Sequence, residues 1–265
     1  MRKALIQGLI IIILFFSTWY IINRVDWMKV FRVEQATKNT EEKLGELFWD
    51  FFNRSETEIE DQYVKEVIDS LVAKLCSENK IDFNYIKLHI LDKDEINAFA
   101  LPDGHLVIYN GLILATENQE ELCGVISHEL AHIMLNHIMK RLVKETGLSV
   151  LISMTTGNSG TEIIQETAKM LSSSAFDRNI EKEADIKAVD YLIQAEINPA
   201  FFANFLYRLS YHDINTNKYL TWISSHPESR ERGEYVIEYC TDKNAGNKPV
   251  LNQNTWETLC EKLRN

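Results

Sequence analysis

The chain has 265 residues, a formal charge of −11 at pH 7 and an apolar content of 45%. This length allows one substantial core, or a core with a small appendage. The acidic balance argues against a nucleic-acid partner, which would need a basic stripe to neutralise phosphates. Only four prolines and ten glycines interrupt the chain, so long helices should dominate.

The N-terminus carries an uncharged apolar segment at residues 4–22, after basic residues at positions 2 and 3. As a helix it would be about 28 Å long, close to the hydrocarbon thickness of a bilayer. A cleaved signal peptide is the alternative, but the segment lacks a small-x-small cleavage site. We therefore expect one transmembrane signal anchor within residues 1–29. Residues 30–265 would then form the catalytic domain on the non-cytoplasmic (periplasmic) side of a bacterial inner membrane.

The first half of this domain changes its period from helix to strand. Residues 34–80 predict two amphipathic helices, and the alternation at 85–91 predicts a half-buried strand on which His89 faces solvent. Residues 96–113 predict two strands joined by a turn at Pro102-Asp103-Gly104. The segment therefore predicts a small β-sheet after two helices.

The second half is helical. Thr116 is expected to cap a helix from about Asn118 to Val143, and another helix is predicted across 161–173. A further helix runs from about Asn179 to Glu196, and Pro199 begins the next. Helices around one small sheet predict an α+β domain.

The four cysteines leave the compartment open. Cys76 and Cys123 lie on predicted helices and are expected to be buried thiols. Cys240 and Cys260 flank a loop and could close a disulfide in an oxidising compartment. The sequence has no C-x-x-C pair, which argues against a structural zinc ribbon.

The stretch "VISHELAHIMLNH", residues 125–137, carries the chemistry. His128 and His132 are four residues apart on a helix and share a face, so both can offer a neutral imidazole to one zinc ion. Glu129 points about 100° away and can approach a water at that metal. Two satisfied core histidines are the alternative, but a dry interior accepts Glu129 poorly. His137 is expected not to be a ligand.

A catalytic zinc usually has three protein ligands, so one must come from elsewhere. "DRNIEKEADIKAVDYL", residues 177–192, predicts a helix with Glu181 and Asp185 four residues apart on one face. One carboxylate can bind zinc while the other accepts the outer N–H of a ligand histidine. Taken alone, the same pattern is typical of a solvated helix surface.

These motifs together resemble the HtpX/BepA-type gluzincins. That group includes the CAAX prenyl protease and the mitochondrial stress-activated inner-membrane protease. "HELAH", "EKEAD" and "SHPESRER" match its H-E-x-x-H, E-x-x-A-D and Ser/Thr-His-Pro motifs, the last with an arginine six residues after its histidine. "NAFALPDGHLVIYNGL" is similar to its strand segment. The resemblance covers roughly residues 58–240 and implies a mainly helical zincin-like fold with a small sheet.

The resemblance also implies residue roles. One Zn²⁺ per chain would be bound by His128, His132 and Glu181, with Glu129 as general base. His226 is either an oxyanion donor, which we favour, or a resting-state fourth ligand. Outside the ligands lie Asp185 and Arg232, the second expected to anchor the His226 loop. The edge strand, Asn97, Ala98 and Phe99, would be open to pair with an extended peptide substrate.

The expected function is a membrane-anchored zinc endopeptidase for misfolded or membrane-associated proteins, with its oligomeric state left open. A proteolytically quiet, chaperone-like binding module is the main alternative, although it would not need Glu129. An intramembrane protease is disfavoured because the apolar part of 122–135 is too short to span. A structural zinc site would favour cysteine ligands.

Overall fold

The computed structural model describes residues 33–211, 222, 224–227, 229–241, 243, 246 and 248–264. Contacts divide the chain into two compact units, residues 1–40 and 41–265. The predicted membrane anchor lies outside the described residues. Among the helices that are described, none is both long and apolar enough to cross a bilayer. The predicted domain boundary after residue 29 stays a prediction.

Helices dominate the described residues, and one short 3-10 helix, Phe83–Tyr85, precedes the first strand. The α-helices are α1 (Val33–Ser55), α2 (Gln62–Glu78), α3 (Asn110–Ala115), α4 (Gln119–Met134), α5 (His137–Glu145), α6 (Leu148–Thr155), α7 (Thr161–Ser173), α8 (Arg178–Gln194), α9 (Ala200–Tyr211), α10 (Ser229–Cys240) and α11 (Gln253–Arg264). With one small sheet, this arrangement confirms the mainly helical α+β prediction.

The sheet has three strands: β1 (Lys87–Leu91), β2 (Ala98–Ala100) and β3 (His105–Tyr109). Their order is β1-β3-β2, with β1 parallel and β2 antiparallel to β3. The predicted turn joins β2 to β3, and Asp103 and Gly104 both have positive φ there, which suits Asp and Gly. Strand β2 is therefore an edge of this sheet.

Helix α4 is the central helix of the domain. It packs against α2, α8, α9 and β2, and nearly all its residues are buried. A helix that is apolar on most sides belongs in a core. Gly124 allows its close approach to α9, because a Cβ there would lie 2.5 Å from the Cβ of Phe202. The motif helix is thus held rigidly by its neighbours.

Both ends of this helix differ from the sequence prediction. Asn118, not Thr116, is the N-cap, and its side chain accepts from the Glu121 N–H. The helix ends at Met134 instead of continuing to Val143, because Asn136 adopts the left-handed conformation (φ 56°, ψ 32°). A new helix, α5, begins at His137. The apolar pattern continues through this break, so periodicity did not reveal it.

The prediction that His89 faces solvent is wrong. Helix α1 covers that side of the sheet, and the Trp49 ring stacks on His89 with 3.5 Å between centroids. His89 Nε2 lies 2.9 Å from His105 Nδ1, and its Nδ1 lies 3.3 Å from Glu58 Oε1. Burial lowers the pKa of His89 to about 3 and that of His105 to about 4. Both rings are therefore neutral at pH 7, with His105 buried and His89 largely covered.

The cysteine predictions are confirmed where they were definite. Cys76 and Cys123 are buried thiols on α2 and α4. Cys240 and Cys260 are also free, so the disulfide left open by the sequence is not formed in this structure. Burial raises the pKa of Cys76 to about 11, which keeps that thiol protonated.

Candidate active site

Helices α4 and α8 bring three candidate ligands to one point. The Nε2 atoms of His128 and His132 lie 3.0 Å apart, as i and i+4 residues on one face can. Glu181, in the first turn of α8, places Oε1 3.4 Å from His132 Nε2 and Oε2 3.6 Å from His128 Nε2. All three side chains are buried. The two helices that the sequence singled out therefore face each other through these residues.

His226 completes this group from a turn before α10. Its Nδ1 lies 3.3 Å from His128 Nε2 and 3.1 Å from Glu181 Oε2. The four ligand atoms lie within 4.8 Å of one another, and no other such group occurs among the described residues. The ring packs 4.4 Å from the buried Trp222 ring, and the backbone N–H of His226 donates to the Trp222 carbonyl. Three histidine nitrogens and one carboxylate oxygen form a donor set that suits tetrahedral zinc.

Asp185 and Arg232 stand behind the ligands. Asp185 Oδ1 lies 2.8 Å from His128 Nδ1, the ring nitrogen that faces away from the ligand group. Arg232 donates to both carboxylate oxygens of Asp185 at 2.8 Å, and its Nη1 lies 2.8 Å from Glu181 Oε2. Arg232 thus binds two carboxylates, whereas the sequence predicts an anchor for the His226 loop.

These contacts keep both carboxylates ionised. Burial alone would raise the pKa of Asp185, but Arg232 and His128 overcome it and hold the pKa below its ordinary value. For Glu181, burial is likewise outweighed by His226 and Arg232, and the pKa is lowered. An ionised Glu181 can act as a metal ligand, and an ionised Asp185 can accept the His128 ring proton.

Glu129 lies beside the ligand group and outside it. The Ala100 N–H of β2 donates to its carboxylate. Its Oε1 lies 3.4 Å from His226 Nε2 and makes no hydrogen bond with the described residues. Burial, reinforced by the negative charge of Glu181, raises the pKa of Glu129 well above its usual range. A carboxylate with a raised pKa and a free oxygen is suited to accept and return a proton.

The predicted edge strand is present, but its edge is not open. Backbone hydrogen bonds join Leu101 to His105 and Tyr109 to Asn97, so the backbone groups of Ala98 and Ala100 point away from β3. Both alanines are buried. Helix α7 packs against this strand, and the Asn97 side chain donates to the Ser172 carbonyl at its end.

Phe99, the third residue expected at the edge, has a different place. Its buried ring packs at 5.0 Å from the Phe52 ring and at 5.7 Å from the Tyr109 ring, measured between centroids. Its side chain therefore belongs to the core, and only the backbone of this strand is suited to contact a peptide.

Two residues near the site, Tyr235 and Phe176, were not predicted from the sequence, and the contact that His137 makes was not predicted either. Tyr235 donates to Asp185, and its position three residues after Arg232 on α10 could have indicated it. The Phe176 ring stacks on His132 with 4.3 Å between centroids. His137 stays outside the ligand group, but its Nδ1 lies 3.0 Å from His132 Nδ1. No sequence period links Phe176 to the site, since its loop lies between helices.

This fold and this site define a class of protein, the metallopeptidases with an H-E-x-x-H helix and a glutamate from a second helix. The chain belongs to peptidase family M48. The model of that family matches residues 58–238, more than half of the chain. The resemblance stated from the motifs is confirmed.

Curated relatives are similar over 60% to 71% of the chain. The beta-barrel assembly-enhancing protease of Yersinia pestis is 25% identical over 178 residues, which are 63% of this chain and 36% of that protein. Metalloprotease LoiP of Escherichia coli K12 is 26% identical, covering 60% of this chain and 64% of its own. The mitochondrial metalloendopeptidase OMA1 of Bos taurus is 26% identical, covering 71% and 39%. This chain thus spans less than two thirds of each relative.

Proposed function

We propose that this protein is a membrane-anchored zinc endopeptidase that hydrolyses misfolded or membrane-associated proteins. The observation that carries the proposal is the buried His128, His132 and Glu181 set with Glu129 beside it. These donors fit one zinc ion per chain, because each histidine presents Nε2 and Glu181 is ionised. Zinc in such a site supplies Lewis-acid chemistry and acidifies water.

Glu129 is the proton carrier in the proposed reaction. Its free Oε1 takes the proton of the attacking water, and the same carboxyl then protonates the leaving amine. The link from Ala100 to Glu129 supports a peptide laid along β2, since the base is then tied to the strand that holds the scissile bond. Because that edge is buried here, substrate binding requires helix α7 to move away from it.

His226 acts in this proposal as a resting-state ligand and not mainly as an oxyanion donor. Its Nδ1 stands among the candidate ligand atoms, while its Nε2 is turned toward Glu129. With a buried β2 edge, this geometry supports a closed form of the enzyme. Substrate would have to displace the His226 ring as well as helix α7.

The anchor and compartment are proposed on the sequence. The uncharged segment 4–22 supports a single-pass anchor, with the domain on the periplasmic side of a bacterial inner membrane. Two relatives carry names that speak of beta-barrel assembly and of a mitochondrial location, which supports substrates at or near membranes. A chaperone-like module without proteolysis is the alternative, and the retained Glu129 argues against it.

The first test joins metal analysis to hydrolysis. The full chain, purified in detergent, should carry about one zinc per chain and cleave a dye-labelled unfolded polypeptide, with both lost on chelation. Glu181→Ala should lose zinc and activity, because it removes a ligand. Glu166→Gln, an exposed change on α7, is the control and should keep both. Zinc binding without any cleavage, also in His226→Ala, would favour the chaperone-like alternative.

His226→Ala should raise the basal hydrolysis of the same unfolded polypeptide. Removing the imidazole frees a coordination position and the space in front of Glu129. Initial rates on the zinc-loaded variant, with Ser224→Ala as the neighbouring exposed control, measure the effect. A fall in kcat of about 10²- to 10³-fold would instead identify an oxyanion donor. Unchanged rates would remove His226 from the site.

A further inference from the structure

The two histidines on α4 have different partners behind them. His128 Nδ1 faces the Asp185 carboxylate at 2.8 Å, the usual arrangement for a ligand histidine. Among the described residues, no carboxylate faces His132 Nδ1. Its neighbour is the imidazole of His137, with 3.0 Å between the two Nδ1 atoms, and both rings are fully buried. Because the two Nδ1 atoms face each other, it has to be decided which of the two rings carries its proton there.

The local backbone fixes this pair. The left-handed Asn136 lies between α4 and α5, and it turns the chain so that His137 comes back beside His132. The rings meet at 72° with 5.0 Å between centroids, an edge-on approach that directs nitrogen to nitrogen. On its far side, His137 Nε2 lies 3.4 Å from Oε2 of Glu183, whose side chain is 56% exposed. The three residues thus form a line from the ligand group to the surface.

Only one proton fits between two Nδ1 atoms at hydrogen-bonding distance. If His132 binds zinc through Nε2, as its position among the ligand atoms requires, a neutral ring must carry its proton on Nδ1. His137 Nδ1 must then accept, and the proton of His137 lies on Nε2, which faces Glu183. Each tautomer in the line follows from the one before it.

We propose that His137 is a positioning residue that accepts the His132 Nδ1–H, and that Glu183 holds the His137 tautomer from the surface. This inference rests on the zinc site of the proposed function. It gives the two ligand histidines unequal supports, one a buried carboxylate clamped by arginine and the other a neutral ring with a solvent-facing partner. A substitution of the exposed Glu183 can therefore affect His132, whereas the support of His128 is buried.

Zinc affinity separates this role from simple packing. In the full chain in detergent, His137→Phe keeps an aromatic ring but has no acceptor, and it should weaken zinc binding by about 10- to 100-fold in competition with a chromophoric chelator. His137→Asn places an amide oxygen near the position of Nδ1 and should recover most of the affinity. Cobalt(II) loading should give a shifted visible spectrum for the Phe variant and a near wild-type spectrum for the Asn variant.

Glu183→Ala tests the outer half without touching the interior. It should weaken zinc binding in the wild type and have no further effect in the His137→Phe background, because the two act through one path. The proposal would be overturned if the Phe and Asn variants lost zinc affinity equally, or if the Phe variant kept the wild-type affinity and cobalt spectrum. It would also be overturned if Glu183→Ala bound zinc as tightly as the wild type. A wild type that binds no zinc would overturn the proposed function itself, which distinguishes the two failures.

Discussion

Glu129→Gln should reduce peptide-bond hydrolysis by about 10²- to 10⁴-fold while leaving zinc content and fold intact, the range for a general acid–base group. Glutamine keeps the shape and the oxygen that accepts from Ala100, but it cannot take a proton from water. Because Glu129 lies outside the ligand group, the metal should stay bound. The measurement is kcat on a labelled unfolded polypeptide, with zinc analysis of the same sample.

The matched control for this experiment lies on the same helix. Glu120→Gln makes the same chemical change in the first turn of α4, away from the ligand group, and should leave kcat and zinc unchanged. Performing both changes in the His226→Ala background removes the proposed resting-state block. Wild-type turnover by the Glu129→Gln protein in that background would disprove the proton-carrier role.

Arg232→Met should destabilise the metal-free protein by about 3–5 kcal/mol, the cost of removing one partner from a buried ion pair. Methionine fills much of the space but leaves Asp185 and Glu181 buried without their shared cation. Those two carboxylates then repel each other and lose the contacts that keep them ionised. Denaturant unfolding of the chelated protein measures the free energy of unfolding directly.

An exposed arginine two positions away supplies the comparison. Arg230 pairs with Glu234 one turn along α10, and both side chains are more than half exposed. Arg230→Met should change stability by less than about 0.5 kcal/mol, since such pairs contribute little in water. If the two substitutions lower the free energy of unfolding equally, the contacts of Arg232 with the two carboxylates do not stabilise the protein. Zinc should restore part of the loss in Arg232→Met, because the metal replaces the missing positive charge at Glu181.

The parts of the site that sequence predicts are those set by local spacing. His128 and His132 share a face because a helix repeats every 3.6 residues, and Glu181 and Asp185 do so for the same reason. Their encounter across α4 and α8 follows from no local pattern; the need for a third zinc ligand and the family resemblance together predict it. His226 lies on a turn without any periodicity, so its closeness to the ligands depends on tertiary packing alone.

Three features differ from the sequence prediction because periodicity does not report what decides them. Alternation along β1 tells which side chains share a face, but not that α1 would cover the face of His89. The edge position of β2 could be expected, but not the helix against it. Similarly, an apolar pattern runs through 135–138 without indicating the left-handed residue that ends α4. In the first two cases a contact distant in sequence decides the outcome, and in the third a single backbone conformation does.

The wide spacing of the ligands along the chain has a consequence for when activity can appear. His128 and His226 are 98 residues apart, and the base is held by a strand that precedes both. Contacts of such long sequence separation form late in folding, because the loops between them must close first. In a nascent or partly unfolded copy, the candidate metal ligands are therefore not yet assembled. On the proposed function, hydrolysis therefore requires that nearly the whole domain is in place.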